Sequence, residues 1–249
     1  MSTQPALHYT LHSTMITGKN WSFVLFSVGL PVVLYLVFSQ MFSPGDGGGN
    51  DWAAMTMVSL AAYGSLGAAM AGGAQLAVER RSGWFRQLTI TALPPRSFLW
   101  AKAGVIMLLV LPALILVYLA GLLAGGVRLP VLVWLASLGL MWLALVPMAI
   151  LGLVIGLWAK AEAVPGVTTL VMLLIAMLGG LWFPAQLMPP VMQTIAHTLP
   201  SYWLAELGRY PILGGAWPWA GVGVLLAWSA GLTVLGVLGY RRAVASSKR

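Results

Sequence analysis

Long stretches without a charged residue are the feature that most constrains this 249-residue chain. Its 13 Lys/Arg and 5 Asp/Glu residues separate uncharged runs at 20–45, 52–78, 103–127, 129–159, 163–205 and 210–240. Each run is long enough for a helix that crosses the hydrocarbon core, which takes roughly 20 apolar residues. Charged residues make up 7% of the chain, against about 25% in soluble domains. The sequence therefore predicts an all-α polytopic membrane protein and excludes soluble and disordered classes.

The uncharged runs predict six transmembrane helices within a membrane domain over residues 21–242. The run at 163–205 is longer than one helix needs, but four prolines interrupt its second half. Such a broken segment is tolerated at membrane depth only where protein or water covers it. We therefore expect a re-entrant outer segment over 184–200, with a plain amphipathic outer loop as the alternative. The expected spans lie near residues 21–42, 53–77, 104–124, 131–158, 164–183 and 217–240.

The distribution of cations between the loops predicts the orientation. With six spans and the N-terminus inside, 11 of the 13 Lys/Arg residues fall on one face and only the loop cations Arg128 and Arg209 on the other. Cytoplasmic loops carry the excess of Lys/Arg in membrane proteins. We therefore expect both termini, including a basic tail at 243–249, to be cytoplasmic. The formal charge of +8 is attributed to these loops and not to nucleic-acid binding.

The first 20 residues have an amphipathic pattern. Leu7, Leu11 and Met15 recur at helical spacing with polar residues between them, which predicts an interfacial helix on the inner surface of the membrane. A partly disordered tail is the alternative. His8 and His12 lie four residues apart in this segment, but no carboxylate is nearby, so a solvated face is favoured and no metal site is predicted.

The loop between the second and third spans predicts a helix outside the bilayer over residues 79–93. Trp84, Phe85 and Leu88 fall on one face of that helix. Glu79 suits the positive end of its dipole, and Pro94 and the proline after it would end the helix. Two interpretations remain open, namely an interfacial helix lying in the headgroups and a docking helix for a cytoplasmic partner.

No sequence motif indicates that the chain itself catalyses a reaction or supplies energy. It contains no phosphate-binding G-x-x-x-x-G-K-[ST] loop and no cysteine. No acid or base is expected in the middle of a span, where the ionisable groups of ion-coupled carriers lie. Energy would then come from outside the chain. A secondary carrier driven by an ion gradient is the main alternative, and an intramembrane enzyme is disfavoured because no nucleophile–base pair is evident.

Two segments carry a resemblance to type 2 ABC transporter permeases. The stretch ERRSGWFRQLTITALPPRSFLWAK resembles their coupling segment, and GGLWFPAQLMP with the following LPSYW resembles their signature after the fifth span. Trp84-Phe85 depart from the smaller residues common in the family. The resemblance implies ATPase-coupling residues Glu79, Arg80, Arg81, Gly83, Trp84, Phe85, Arg86 and Leu88. It also implies a re-entrant gate that includes Phe183, Pro184, Pro189, Pro200 and Tyr202.

The resemblance also implies a function and an assembly. A permease of this family is the membrane-spanning half of an ABC exporter, paired with two copies of a separate ATPase subunit and with a second permease, identical or a close paralogue. ATP and Mg would then bind the partner ATPase, and no cofactor would bind this chain. The expected location is the plasma (inner) membrane. The nearly uncharged, aromatic-rich and Met-rich interior suits a hydrophobic or amphiphilic cargo, with polysaccharide as the alternative.

Overall fold

The computed structural model describes residues 29–41, 49–81 and 95–247, and these residues are helical or in turns, without a strand. This confirms the predicted all-α class. The described residues form nine α-helices and one short 3₁₀ helix at Ala185–Leu187. The α-helices are α1 (Leu30–Met41), α2 (Gly49–Arg81), α3 (Pro95–Leu123), α4 (Val131–Ala144), α5 (Val146–Trp158), α6 (Val164–Leu178), α7 (Pro190–Thr198), α8 (Pro200–Leu213) and α9 (Trp219–Ser247).

Four stretches of the described chain are long and apolar enough to cross a membrane, which supports a multi-pass membrane protein. They are Asp51–Arg81, Phe98–Leu123, Val131–Trp158 and Trp219–Ala245. Two shorter apolar helices, α1 and α6, occupy the positions of the predicted first and fifth spans. The total of six crossings therefore stays a prediction, and the predicted interfacial helix over 1–20 lies outside the described residues.

The side-chain contacts define two ends of the helix bundle. At one end, Arg80 reaches the last residues of α5, and Trp158 reaches the second half of α9. This basic end carries Arg80, Arg81, Lys102, Lys160, Arg241 and Arg242. At the opposite end, Ile175 near the end of α6 contacts the start of α8. Residues 179–218 connect the end of α6 to the start of α9, and both of these helix ends lie at this opposite end of the bundle.

Helix α2 lies at the centre of the bundle, where it packs against α1, α3, α5, α6 and α8. Its many small residues allow this close packing. A β-carbon at Gly73 would overlap the carbonyl of Gly152 in α5, and one at Gly156 would overlap the backbone of Gly73. The Gly152-x-x-x-Gly156 motif therefore serves contact between helices of one chain, as small-residue motifs do in membranes.

Three helices extend further than their predicted spans. Helix α2 continues through Arg81, α3 begins at Pro95, nine residues before the expected start at 104, and α9 continues through Ser247. The predicted spans end at their flanking charges, whereas two of these charges, Glu79 and Lys102, pair between α2 and α3 and remain within helical structure. Between α4 and α5 the helix is interrupted at Leu145, because Pro147 has no N–H to donate to the preceding turn.

Candidate functional site

A partly buried ion pair joins α2 and α3 at the basic end. Lys102 Nζ lies 2.7 and 2.6 Å from the two carboxylate oxygens of Glu79. The side chains are 13% and 16% exposed, so the pair is largely shielded from water and from screening by salt. Glu79 is in the last turn of α2 and Lys102 in the third turn of α3. The pair therefore fixes together the two helices that enter and leave the predicted coupling segment.

Arg80 joins α2 to the end of α5. Its Nη1 atom donates to the carbonyls of Gly156 and Leu157, each at 2.7 Å, and lies 3.4 Å from the carbonyl of Ala159. The last carbonyls of a helix have no partner within the helix, and the negative end of the helix dipole favours a cation. Arg80 therefore acts as a C-terminal cap for α5 supplied by another helix.

Two further contacts complete this end of the bundle. Trp158, the last residue of α5, donates from Nε1 to the carbonyl of Leu235 in α9 at 3.1 Å, and Arg242 lies 5.5 Å from the centre of its ring. Arg81 pairs with Glu162 at 3.0 Å, but these side chains are 73% and 68% exposed. Such an exposed pair contributes little stability.

The contacts of five residues hold α2, α3, α5 and α9 together at this end. We call these residues the basic-end clamp; they are Glu79, Arg80, Lys102, Trp158 and Arg242.

The structure describes three of the eight predicted coupling residues. Glu79, Arg80 and Arg81 end helix α2, so Glu79 lies in the last turn of a long helix and not at the start of a separate one. Pro95 is the first residue of α3. The other five predicted residues lie outside the described residues, and their docking role stays a prediction; they are Gly83, Trp84, Phe85, Arg86 and Leu88.

A second group of contacts closes the opposite end of the bundle, where α6 turns into the proline-rich segment. Gly179 ends α6, and Gly180 has a φ of +73°, a conformation that favours glycine. Ser201 Oγ donates to the carbonyl of Ile175 at 2.7 Å, across α8 and α6. A β-carbon at Gly179 would overlap this hydroxyl. Gly179 therefore permits the close approach of α6 and α8, and Gly180 permits the turn that follows α6.

Aromatic side chains hold the short helices α7 and α8 against α9. Trp203 Nε1 donates to the carbonyl of His197 at 2.7 Å, and Trp228 Nε1 of α9 donates to the carbonyl of Thr198 at 2.9 Å. The Tyr202 ring lies 4.7 Å from that of His197 in an edge contact. These bonds satisfy carbonyls at the end of α7, which would otherwise have no partner at a helix terminus.

The predicted gate residues lie along this segment without forming one cluster. Phe183 is exposed, Pro184 precedes the 3₁₀ helix, and Pro189 is exposed ahead of α7. Pro200 is buried at the first position of α8, where its fixed φ suits a helix start, and Tyr202 is half-buried beside it. The prolines thus delimit short helices, as their backbone chemistry requires.

The prediction that Arg209 is a loop cation is wrong. Arg209 lies in α8 and is 7% exposed. Its Nη1 lies 2.7 Å from Glu206 Oε1 and its Nη2 donates to Ser59 Oγ of α2 at 2.6 Å. Its Nε has no hydrogen-bond partner among the described residues. The sequence signal for this contact is the i, i+3 spacing of Glu206 and Arg209, which lets an acid and a base pair on one face of a helix.

Hydroxyl groups extend the polar contacts into the bundle. Ser137 of α4 donates to the carbonyl of Gly208 at 2.6 Å, and its Oγ lies 2.7 Å from the hydroxyl of Tyr118 in α3. These hydrogen bonds join α3, α4 and α8 beside the Glu206–Arg209 pair.

Within the part of the chain that the structure describes, no three acidic or histidine side chains are grouped so as to hold a metal ion.

Comparisons with known proteins agree with this architecture. The chain matches the family model described as "ABC-2 type transporter" over residues 11–213. It is also similar to the protein named "Putative transport permease YvfS" from Bacillus subtilis (strain 168). The two are 27% identical over 211 residues, which cover 84% of this chain and 86% of that protein. Because the family model covers most of the chain, including both ends of the helix bundle, this membrane protein belongs to the ABC-2 type transporter family.

Proposed function

We propose that this chain is the permease subunit of an ABC exporter, which moves a hydrophobic or amphiphilic substrate out of the cytoplasm or the inner leaflet. Membership of the family implies a transporter subunit that works in a membrane with an ABC ATPase. The direction, the substrate and the dependence on ATP are parts of the proposal. The observation that carries it is the basic-end clamp, which lies directly beside the predicted coupling segment.

The clamp provides a mechanical reason for the coupling. Segment 82–94 connects α2 to α3, and Glu79 and Lys102 bind each other on its two sides. Arg80 adds α5, and Trp158 adds α9. A displacement of the segment by a partner would therefore move several helices together and not one helix alone. In this proposal, ATP binding closes two ATPase subunits and pulls the segment, while Trp84 and Phe85 dock into an apolar groove on the ATPase.

The opposite end would form the exit gate. Segment 179–218 starts and ends at this end, and α8 packs against α2, α4 and α9. We propose that it dips into the outer leaflet and closes the path until α2 and α5 shift. Phe183, Pro184, Pro189, Pro200 and Tyr202 would shape this gate. Because α8 is joined to α2 by the Arg209–Ser59 bond, movement of α2 at the basic end can reach the gate.

The proposed assembly contains two permeases and two ATPase subunits in the plasma membrane. The second permease would be identical or a close paralogue, and the substrate would move between the two. Cations concentrate at the basic end, so this end and both termini are assigned to the cytoplasm. Few charged groups lie inside the described bundle, and an apolar or amphiphilic substrate suits such an interior.

The Glu206–Arg209 pair, in which Arg209 is buried, bears on the alternative of an ion-driven carrier. Such carriers place ionisable groups in the membrane to bind and release the coupling ion. Here Glu206 already has a cationic partner at 2.7 Å. Apart from this pair, the charged residues of the described helices lie towards the ends of the bundle, and Lys102, which lies furthest from a helix end, is paired with Glu79. This arrangement favours energy supplied by a partner over energy supplied by an ion gradient.

Co-purification from the native host tests the proposal. The tagged chain is expected to bring down an ATPase that carries a phosphate-binding loop. The Trp84→Ala, Phe85→Ala double variant should weaken this association by about 30-fold or more, because loss of a large aromatic anchor costs roughly 2 kcal/mol.

A matched control uses an apolar side chain at the opposite end. Leu187 is 79% exposed, and Leu187→Ala should leave the association unchanged. If the wild-type chain never retains an ATPase in native membranes, the proposed function is wrong. If the ATPase is retained equally by the double variant, the docking role of Trp84 and Phe85 is wrong.

A further inference from the structure

A groove of about 550 Å³ runs along the outer face of α9. Its lining residues recur every three or four positions, so they form one stripe along the helix. From Leu226 to Arg241 the stripe covers 15 residue steps, or about 22 Å at 1.5 Å per residue. One residue of α3 completes the wall. The lining is Trp100, Leu226, Ser229, Ala230, Thr233, Val234, Val237, Leu238 and Arg241.

The wall of this groove is apolar along most of its length. Its two hydroxyl side chains donate to carbonyls of their own helix, Ser229 to Leu225 at 2.7 Å and Thr233 to Ser229 at 2.6 Å. Val234 and Leu226 are each at least 60% exposed. The apolar window of the α9 span is only 22% buried within the chain. The groove therefore faces the surroundings of the bundle, which for this membrane protein are lipid.

The charge of the groove is confined to its basic end. Arg241 lines the groove and is exposed. The next residue, Arg242, is directed to the ring of Trp158, and Lys102 is held by Glu79. Arg241 is absent from the ion pairs formed among the described residues. Trp100, which is 50% exposed, stands beside it at the end of the bundle where an indole ring prefers the headgroup level.

We propose that this groove binds an anionic glycerophospholipid, with one acyl chain along α9 and the phosphate on Arg241. One leaflet of hydrocarbon is about 15 Å thick, so a 22 Å groove has room for a chain and for the headgroup beyond it. Cations at the membrane surface attract anionic lipids by about 1 kcal/mol each.

Native mass spectrometry of the purified full chain tests this site with two lipids of identical acyl chains, phosphatidylglycerol and phosphatidylcholine. The wild-type chain should retain phosphatidylglycerol about fivefold more tightly. Arg241→Gln should remove this preference, while Lys160→Gln, which deletes an exposed cation at the same end but outside the groove, should keep it. Ala230→Trp should fill the groove and weaken both lipids, whereas Ala227→Trp on another exposed position of α9 should weaken neither.

Several results would overturn the assignment. Equal effects of Arg241→Gln and Lys160→Gln would mean general charge attraction without a site. Unchanged lipid binding in Ala230→Trp would mean that the acyl chain does not lie in the groove. Displacement of phosphatidylglycerol by inorganic phosphate alone would mean that the acyl chain does not contribute to binding. Loss of a dimer in Ala230→Trp without loss of lipid would assign the groove to a second copy of the protein. Because the test reads lipid binding and not transport, it is independent of the proposed export function.

Discussion

Replacement of Arg80 by glutamine is expected to destabilise the bundle far more than the same replacement of Arg81. Arg80 donates from Nη1 to two carbonyls at the end of α5, and glutamine is too short to reach them from α2. Arg81 pairs with Glu162 in an exposed position. The two neighbouring arginines therefore carry the same charge in different environments, and the comparison separates loss of the contact between α2 and α5 from loss of a charge.

The expected magnitude follows from the hydrogen bonds that are lost. A hydrogen bond from a charged donor contributes about 1.5–3 kcal/mol. The nitrogen has two hydrogens, so the two contacts of 2.7 Å count as full bonds and the third, at 3.4 Å, does not. Because Arg80 is only partly buried, the lower value applies to each bond. Arg80→Gln should lower the free energy of unfolding by about 3 kcal/mol.

Unfolding in mixed micelles, with SDS as the denaturant and circular dichroism as the signal, measures this difference. Arg81→Gln should leave the free energy of unfolding within about 0.5 kcal/mol of wild type. Arg80→Lys should recover part of the loss, since an ammonium still favours the negative end of α5. Equal losses in Arg80→Gln and Arg81→Gln, or a change below about 0.5 kcal/mol in Arg80→Gln, would refute the assignment of Arg80 as the cap of α5.

Three further predictions concern helix packing, the Glu206–Arg209 ion pair and membrane topology. Gly73→Val should cost about 3 kcal/mol or more by forcing α2 and α5 apart, whereas Gly104→Ala, with open space around it, should cost nothing in the same unfolding assay. Glu206→Leu should cost about 3 kcal/mol by leaving Arg209, which is 7% exposed, without its anionic partner. The double variant with Arg209→Met should recover most of that loss, because it removes the unpaired buried charge. In this cysteine-free chain, a cysteine at Gln186 should react with an impermeant thiol reagent from outside intact cells and one at Ala245 should not; labelling of both would contradict the proposed topology.

Much of the bundle could be predicted from the sequence because the cost of burying charge in lipid is large and local. Runs without charge predicted helices where α2, α3, α5 and α9 are found. The Gly152-x-x-x-Gly156 spacing, which is visible in the sequence itself, likewise indicates close packing, since only small residues let two helix backbones approach. These features depend on residues near one another in the chain, so a pattern search can find them.

The partners of the charged residues could not be predicted in the same way. Arg80 and Gly156 are 76 positions apart, and Arg209 and Ser59 are 150 apart. The sequence shows the charge of Arg209 and its position in the chain, but not the residues that lie next to it in space. Arg209 was therefore predicted to be a charge that flanks a span. The helix ends were also missed where charges pair, as at Glu79 and Lys102, because a paired charge no longer marks the end of a helix.

Transport by the chain and its ATPase in inside-out vesicles tests the central claim most directly. A fluorescent amphiphile is added outside, ionophores collapse the proton and sodium gradients, and dye uptake is followed with and without ATP. The account predicts uptake that requires ATP, that survives the ionophores, and that disappears when the ATPase is replaced by a hydrolysis-deficient form. Uptake by this chain alone, driven by an imposed ion gradient in the absence of ATP, would contradict the account.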